Sequence, residues 1–424
     1  MMLGAEDLQE ALDASGGRTP VYVYSLDEVR SAHDELRSHL PHAALLYYSL
    51  KANPHPDIVR ELGRLGCGAE VSSVAEMEIA AALLPRERCI VTGPGKTEEL
   101  IRTALDLGIR RFSIESSTEL DRLRKVSAAS GAPAEYLLRI NAPSPRAGGL
   151  TMTGRPSQFG IPLSEALRSP RLLADEGAVT WRGLHFFPAS NMDHHDLLTS
   201  FAQSLRAAVD LSLAHGRVPI ELDLGGGFAA TFGEAGRPPL PAGSATELTS
   251  MIERAFPQGG GPEVVSFESG RRLTASCGSL VASVVDVKSA GDRLFAIADA
   301  GINHLGGFGA LRRVLPSRVT ASLRDARGVL RASAEGRPGI RSAVVVGPTG
   351  APPDVLVSDL HAMQPEVGDR IVIPGVGAYG LTASLIAFLG VAPPVEVTLD
   401  GGRVRSATSL RISRVRWDEQ APRT

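Results

Sequence analysis

Cysteine is scarce in this chain of 424 residues. Cys67, Cys89 and Cys277 are odd in number and lack paired spacing, so neither a disulfide framework nor a structural zinc site is expected. Each is read as a small buried hydrophobe. No sign of charge dominates either. With 44 basic against 47 acidic residues, the net charge is −3 and the signs are interspersed, which leaves no basic stripe for nucleic acid and no polybasic patch for a membrane. No apolar run is long enough to span a bilayer, and the N-terminus, Met1 to Asp7, lacks the basic start of a signal peptide. A cytoplasmic protein is expected. What the chain has in quantity is apolar residues: 43% are hydrophobic, enough for a large core, over a length that exceeds one ordinary domain.

Eight strand-like runs follow one another at 44–50, 67–73, 88–93, 110–115, 135–141, 181–187, 219–225 and 263–268, bounded by glycine, proline or polar turns. Most are followed by a stretch of helical spacing, as in Val74 to Leu83 and Leu197 to Leu213. The alternation predicts an α/β fold, a (β/α)8 barrel with amphipathic helices on its outside. Chemistry in such barrels collects at the C-terminal ends of the strands. The polar residues of this sequence collect there too. Strand 1 ends at Lys51, strand 2 passes Glu70, strand 3 ends at Thr92 to Lys96, and strand 4 ends at Glu115. Strand 5 carries Arg139 and Asn141, strand 6 has His185 and Phe187 on one face, strand 7 runs into Gly225-Gly226-Gly227, and strand 8 ends in Glu268-Ser269-Gly270-Arg271.

Past Arg271 the pattern changes to short strands with turns, at 279–287, 293–298, 317–323, 341–346, 355–357, 370–374 and 394–410, which predicts a second, mainly β domain. Pro20 to Tyr24 alternates as a strand and is expected to pair with that sheet. The expected boundaries are 27–270 for the barrel, with 1–26 and 271–424 forming the β domain. Segments 231–246 and 324–340, rich in Gly, Pro, Ala, Ser and Arg, read as loops or insertions, and the tail 418–424 as mobile.

Taken alone, Lys51 reads as a solvated lysine and the glycine triplet as a tight turn. Position changes both readings. Loops after strands 7 and 8 of a barrel form the usual phosphate cradle, since backbone N–H groups reach an anion only where no side chain intrudes. Arg271 adds a charge-assisted contact to the same phosphate. An amine on strand 1 opposite a phosphate grip suits pyridoxal 5'-phosphate above other cofactors.

Four motifs carry a resemblance: Tyr48-Ser49-Leu50-Lys51-Ala52-Asn53, Gly225-Gly226-Gly227-Phe228, Glu268-Ser269-Gly270-Arg271 and Gly377-Ala378-Tyr379-Gly380. In this order they resemble the fold-type III pyridoxal-phosphate decarboxylases, which include diaminopimelate and ornithine decarboxylases, over most of the chain. Within that family, Gly93-Pro94-Gly95-Lys96, Gly154 to Gly160, Ala378 to Leu381 and Phe388-Leu389-Gly390 are similar to the decarboxylase that acts on a glutamyl-carrier-protein thioester in butirosin assembly. The resemblance implies roles. Lys51 would bind the cofactor covalently and Glu268 would bond its pyridine nitrogen, making the ring an electron sink. Gly226, Gly227, Gly270, Arg271 and Ser190 would surround the phosphate. Glu70 matches an acidic position near the cofactor. Tyr379 would reach the phosphate from the partner subunit, because the family's sites lie at a homodimer interface.

The departures from the family are as informative as the matches. Phe187 stands where the family has a stacking histidine; an aromatic face still covers the ring, but a protonatable group is lost, with His185 two residues earlier as the nearest candidate acid. Gly350, in Gly347-Pro348-Thr349-Gly350, stands where the family has a proton-donating cysteine, and the acidic residue after it is missing as well. A buried distal ammonium without a carboxylate is left unpaired at a cost of several kcal/mol, so ornithine, lysine and diaminopimelate are disfavoured as substrates. Asp299, Asp354 and the pair Arg312 and Arg313 remain as candidate substrate contacts. The reading is a cytoplasmic, homodimeric, pyridoxal-phosphate-dependent decarboxylase of an α-amino acid or an aminoacyl derivative, free or held on a carrier protein, in specialised biosynthesis. Its alternatives are an amino-acid racemase or epimerase on the same fold and a non-catalytic homologue that binds a partner enzyme.

Overall fold

The computed structural model describes residues 3–142, 150–151, 156–257, 260–306, 319–326, 328–331, 342–360, 363–414 and 416. The chain divides into two compact units, one of residues 28–231 with 236–276 and the other of residues 1–27, 232–235 and 277–424.

The first unit is a closed barrel of eight parallel strands: Leu45–Ser49, Gly68–Val71, Cys89–Val91, Arg111–Ile114, Ala134–Asn141, Val179–His185, Glu221–Asp223 and Val264–Ser269. Each pairs with its neighbours in this order, and the last pairs with the first, Ser266 to Ser269 against Leu45 to Tyr48, so no edge is left open. All eight coincide with the runs expected from the sequence. The sixth starts and stops two residues early, so Phe187 lies on the loop beyond it rather than on the strand. The connecting helices open on side chains that suit an N-cap: Ser73, Thr97, Ser116 and Asp193 each accept a backbone N–H from the first turn. Beside the Ser73 cap, the Glu76 carboxylate also reaches back to accept the N–H of Ser72.

Side chains alternate across a strand with a period of two, and this period lays out the barrel interior in layers. Tyr47, Arg111, Glu221 and Ser266 sit one step below the C-terminal ends. Tyr47 Oη donates to Glu221 at 2.9 Å and receives Arg111 Nη1 at 2.9 Å, while Ser266 Oγ donates to Glu221 at 3.1 Å. Two residues on along the same strands stand Ser49, Ser113, Asp223 and Glu268, joined by Glu70, Thr92, Arg139 and His185 from the remaining strands. This upper layer is the one that carries the site.

The second unit is a mainly β sheet. Strand Val21–Ser25 runs antiparallel to Gly278–Ala290 and parallel to Val395–Asp400, and the remaining strands Arg293–Ala298, Ser322–Arg324, Ser342–Val346, Val355–Val357 and Arg370–Pro374 extend the sheet. The run expected at 394–410 is a hairpin instead of one strand: Gly401 and Gly402, both at positive φ, turn Val395–Asp400 back onto Arg403–Ser409. Helix Ala5–Ala14 lays Leu8 and Ala11 on this sheet in one cluster with Val21, Val281 and Val397. Residues 244–246, the end of the stretch read as loop, open the helix Ser244–Ala255. The three cysteines are free and buried. Among the described residues no helix is long and apolar enough to cross a membrane.

Candidate active site

Strand 1 delivers Tyr47, Ser49 and Lys51 to one face, and the last of these emerges where the strand gives way to a single 3-10 turn, Leu50–Ala52. The Lys51 side chain is 45% exposed while its partner Glu70 is buried; Lys51 Nζ lies 2.8 Å from Glu70 Oε1. Thr92 Oγ1 donates to the same oxygen at 2.8 Å, and Ser49 Oγ donates to the other. Burial alone would raise the Glu70 carboxyl, but the Lys51 charge and the three donors outweigh it and bring it down to about 2. Glu70 is therefore an anion that holds the amine at the barrel mouth.

Deeper lie His185, Asp223 and Glu268, all fully buried, each offering an atom within 4.8 Å of the others. His185 Nε2 and Glu268 Oε1 are 3.3 Å apart without the alignment of a hydrogen bond, so both are buried polar atoms that the described residues leave unsatisfied. Burial raises the Glu268 carboxyl well above the usual carboxylate range, and the charges of Glu70 and Asp223 push it further. Burial raises Asp223 likewise, against the hydrogen bond it accepts from Gly225 N at 2.8 Å. His185 moves the opposite way, well below the usual imidazole range, through burial and the Arg139 charge.

The strand-7 turn needs its glycines. A Cβ on Gly225 would collide with the Phe186 carbonyl and one on Gly226 with the Glu268 carbonyl, while Gly225 and Gly227 take φ of 72° and 111°. Their backbone is thus left bare. Arg271, after strand 8, donates from Nη2 to Ser190 Oγ at 3.4 Å, so a guanidinium and a hydroxyl are paired beside the turn sequence. Gly270 is also required by packing, since its Cβ would stand 2.8 Å from that of Ala52. The Phe187 ring centroid lies 5.9 Å from Lys51 Nζ and 5.7 Å from the Arg139 guanidinium.

Lys51, Glu70, His185, Phe187, Ser190, Gly226, Gly227, Glu268, Gly270 and Arg271 thus share the C-terminal end of the barrel. Sequence reasoning gave no role to Ser49, Thr92 and Ser113, whose hydroxyls orient Glu70 and His185, nor to Asp223. Their inward period-two positions were the available signal. It named Lys96 at the end of strand 3 without giving it a role; Lys96 is fully buried with Nζ 2.5 Å from Glu119 Oε1, in a charged network that continues through Glu115 to Arg139 at 3.0 Å.

Asp299, Asp354 and Tyr379 belong to the second unit. Asp299 accepts from Thr19 Oγ1 at 2.5 Å on one oxygen and Ser283 N at 2.8 Å on the other. Asp354 accepts from Ile302 N at 2.8 Å, and from Thr349 N at 2.9 Å and Thr349 Oγ1 at 2.5 Å. Both carboxylates are engaged in holding their own loops. Tyr379 takes φ 53°, a left-handed value uncommon for a residue other than glycine. Gly350 takes φ 66°, so a cysteine there would carry a cost of roughly 1–2 kcal/mol; the loop's conformation favours the glycine it has. Arg312 and Arg313 lie outside the described residues, as do Gly154 and Arg155.

An amine with an anionic neighbour, a buried carboxyl awaiting a partner and a bare backbone turn beside an arginine form the donor set of a barrel enzyme built around a phosphorylated aldehyde. An aldehyde is met by the amine, a basic ring nitrogen by the carboxyl, a phosphate dianion by backbone N–H groups and a guanidinium; the residues fit pyridoxal phosphate. Residues 26–275 match the family described as "Pyridoxal-dependent decarboxylase, pyridoxal binding domain", and the chain belongs to that family. It is 31% identical to the diaminopimelate decarboxylase of Vibrio cholerae over 95% of this chain and 92% of that one. It is 29% identical to the L-glutamyl-(BtrI acyl-carrier protein) decarboxylase of Niallia circulans, over 91% and 89% of the two chains. The crystal structure of lysine decarboxylase from Selenomonas ruminantium superposes with a TM-score of 0.74 at 26% identity, over 90% of this chain and 92% of that one. The protein is a pyridoxal-phosphate-dependent carboxy-lyase.

Proposed function

We propose that this enzyme decarboxylates an α-amino acid whose side chain carries no distal ammonium, either free or as a thioester on a carrier protein, as a cytoplasmic homodimer with shared active sites. The observation that carries the substrate reading is the state of Asp299 and Asp354. The two acidic candidates for an ammonium each have both carboxylate oxygens already engaged within their own unit. An ammonium brought to either would displace donors the loop depends on. The 29% identity to a decarboxylase of a carrier-bound glutamyl group supports the thioester reading.

The bound cofactor supplies an electron sink conjugated to the substrate's α-carbon. The chain's own residues do the rest. Lys51 provides the amine that binds the aldehyde, and Glu70 holds that amine at the mouth. Glu268, with its carboxyl buried, meets the ring nitrogen. Gly226, Gly227, Ser190 and Arg271 bind the phosphate, with Gly270 admitting the close turn that places Arg271. Phe187 covers a ring face and, being unable to titrate, keeps that face electrically constant. The partner's Tyr379 completes the phosphate contacts. Specialised biosynthesis is the setting these features suggest. A steady-state comparison of free amino acids and carrier-bound aminoacyl thioesters tests the substrate reading. Glutamyl or neutral side chains should exceed lysine, ornithine and diaminopimelate in kcat/KM by about 100-fold or more, the price of an unpaired buried charge; a preference for a diamino acid refutes it.

A further inference from the structure

His185 is the one ionisable side chain of the barrel interior whose two ring nitrogens both face protein groups with a clear chemical preference. Nδ1 stands 2.6 Å from Ser113 Oγ and Nε2 3.3 Å from Glu268 Oε1. Ser113 is fully buried and its hydroxyl has no other hydrogen-bond partner among the described residues. A buried hydroxyl hydrogen needs an acceptor, and Nδ1 is the acceptor within reach. The hydroxyl therefore donates to Nδ1, which leaves the ring hydrogen on Nε2, a donor unpaired among the described residues, 3.3 Å from the equally unpaired Glu268 Oε1 but out of line with it.

We propose that Ser113 and His185 form a buried relay that fixes Glu268 once the cofactor is bound: Ser113 sets the imidazole tautomer, and His185 Nε2–H, the unpaired donor 3.3 Å from the unpaired Glu268 Oε1, turns onto that oxygen so that the carboxylate is oriented toward the cofactor's ring nitrogen. This rests on the cofactor reading above and reassigns His185, which the sequence presented as a catalytic acid, to a positioning residue. With 1% of its surface exposed, and Ser113 and Glu268 facing its two nitrogens, the imidazole is walled off from a substrate carbon. Loss of the Nε2–H would leave the Glu268 carboxylate buried beside Asp223 with nothing opposing their mutual repulsion on that side.

The test uses the full chain reconstituted with 15N-labelled pyridoxal phosphate, reading the ring-nitrogen shift by NMR and the cofactor dissociation constant by fluorescence, for the wild type, His185→Leu, His185→Gln and Ser113→Ala. In His185→Leu the cofactor should bind about tenfold or more weaker, and the ring nitrogen should move toward its unprotonated shift. His185→Gln, whose amide N–H still reaches Glu268, should recover most of both. Ser113→Ala, which removes only the tautomer lock, should fall between wild type and His185→Leu, and it decides the matter if the leucine variant fails to fold. Equal affinities and an unchanged ring-nitrogen shift across folded variants would overturn the relay and leave the cofactor assignment intact. A wild type that binds no pyridoxal phosphate would overturn both.

Discussion

Glu268 shows at the scale of one side chain how function and stability pull apart. Its carboxyl is buried with a raised affinity for its proton, chiefly from desolvation and then from Glu70 and Asp223. In the unfolded chain it ionises in the ordinary carboxylate range. A group whose folded value is raised favours the fold at low pH, and the benefit of ionising belongs to the unfolded chain as pH rises. The protein without cofactor should therefore lose stability from this residue between pH 4 and neutrality. Glu268→Gln removes the ionisation at nearly the same volume. Thermal unfolding of the cofactor-free variant should show a midpoint about 2 °C or more above wild type at pH 8, a gap that shrinks toward pH 5, together with loss of decarboxylation. Glu70 behaves with the opposite sign. Its value of about 2 makes its contribution present at neutrality and lost as pH falls from the ordinary carboxylate range toward 2.

At the scale of strands and turns, the barrel was legible because each strand is a short apolar run closed by a turn signal, and the bounds of those runs already put Glu70, His185 and Glu268 toward the C-terminal ends of strands. What escaped was anything set by partners far apart in sequence. Ser113 looks like any strand serine until His185, 72 residues away, is seen beside it. Lys96 reads as a loop lysine, yet it is buried against Glu119 of helix Ser117–Ser130, with which it is paired. Asp299 and Asp354 looked available because most of their donors, Thr19, Ser283 and Ile302, come from other segments; only Thr349 shares the loop of Asp354. The hairpin at Gly401-Gly402 was missed although two adjacent glycines are a turn signal, since the apolar spacing continues across it. Gly226 allows a direct test of the strand-7 turn. Gly226→Ala puts a methyl group against the Glu268 carbonyl, so the turn must shift. The variant should stay folded by circular dichroism but bind pyridoxal phosphate at least about tenfold more weakly, and undiminished affinity would remove the turn from the phosphate site.

For the whole molecule, the proposal of a shared site places Lys51 and Tyr379 of one active centre on different protomers. Lys51→Ala and Tyr379→Ala chains, each with little activity, should regain about a quarter of wild-type activity when mixed and allowed to exchange, because random pairing makes half the dimers heterodimers with one intact site of two. No recovery after verified exchange would confine the site to one chain. The account as a whole claims that this barrel uses its amine, its buried carboxyl and its cofactor to break the bond to the α-carboxylate and not the α-hydrogen bond. The mass of the product formed in D2O separates the two. The account predicts release of carbon dioxide in step with substrate loss and an amine, free or carrier-bound, that gains one deuteron at the former α-carbon. Recovery of the amino acid with its carboxylate intact, deuterated at the α-carbon and of mixed configuration, would contradict it.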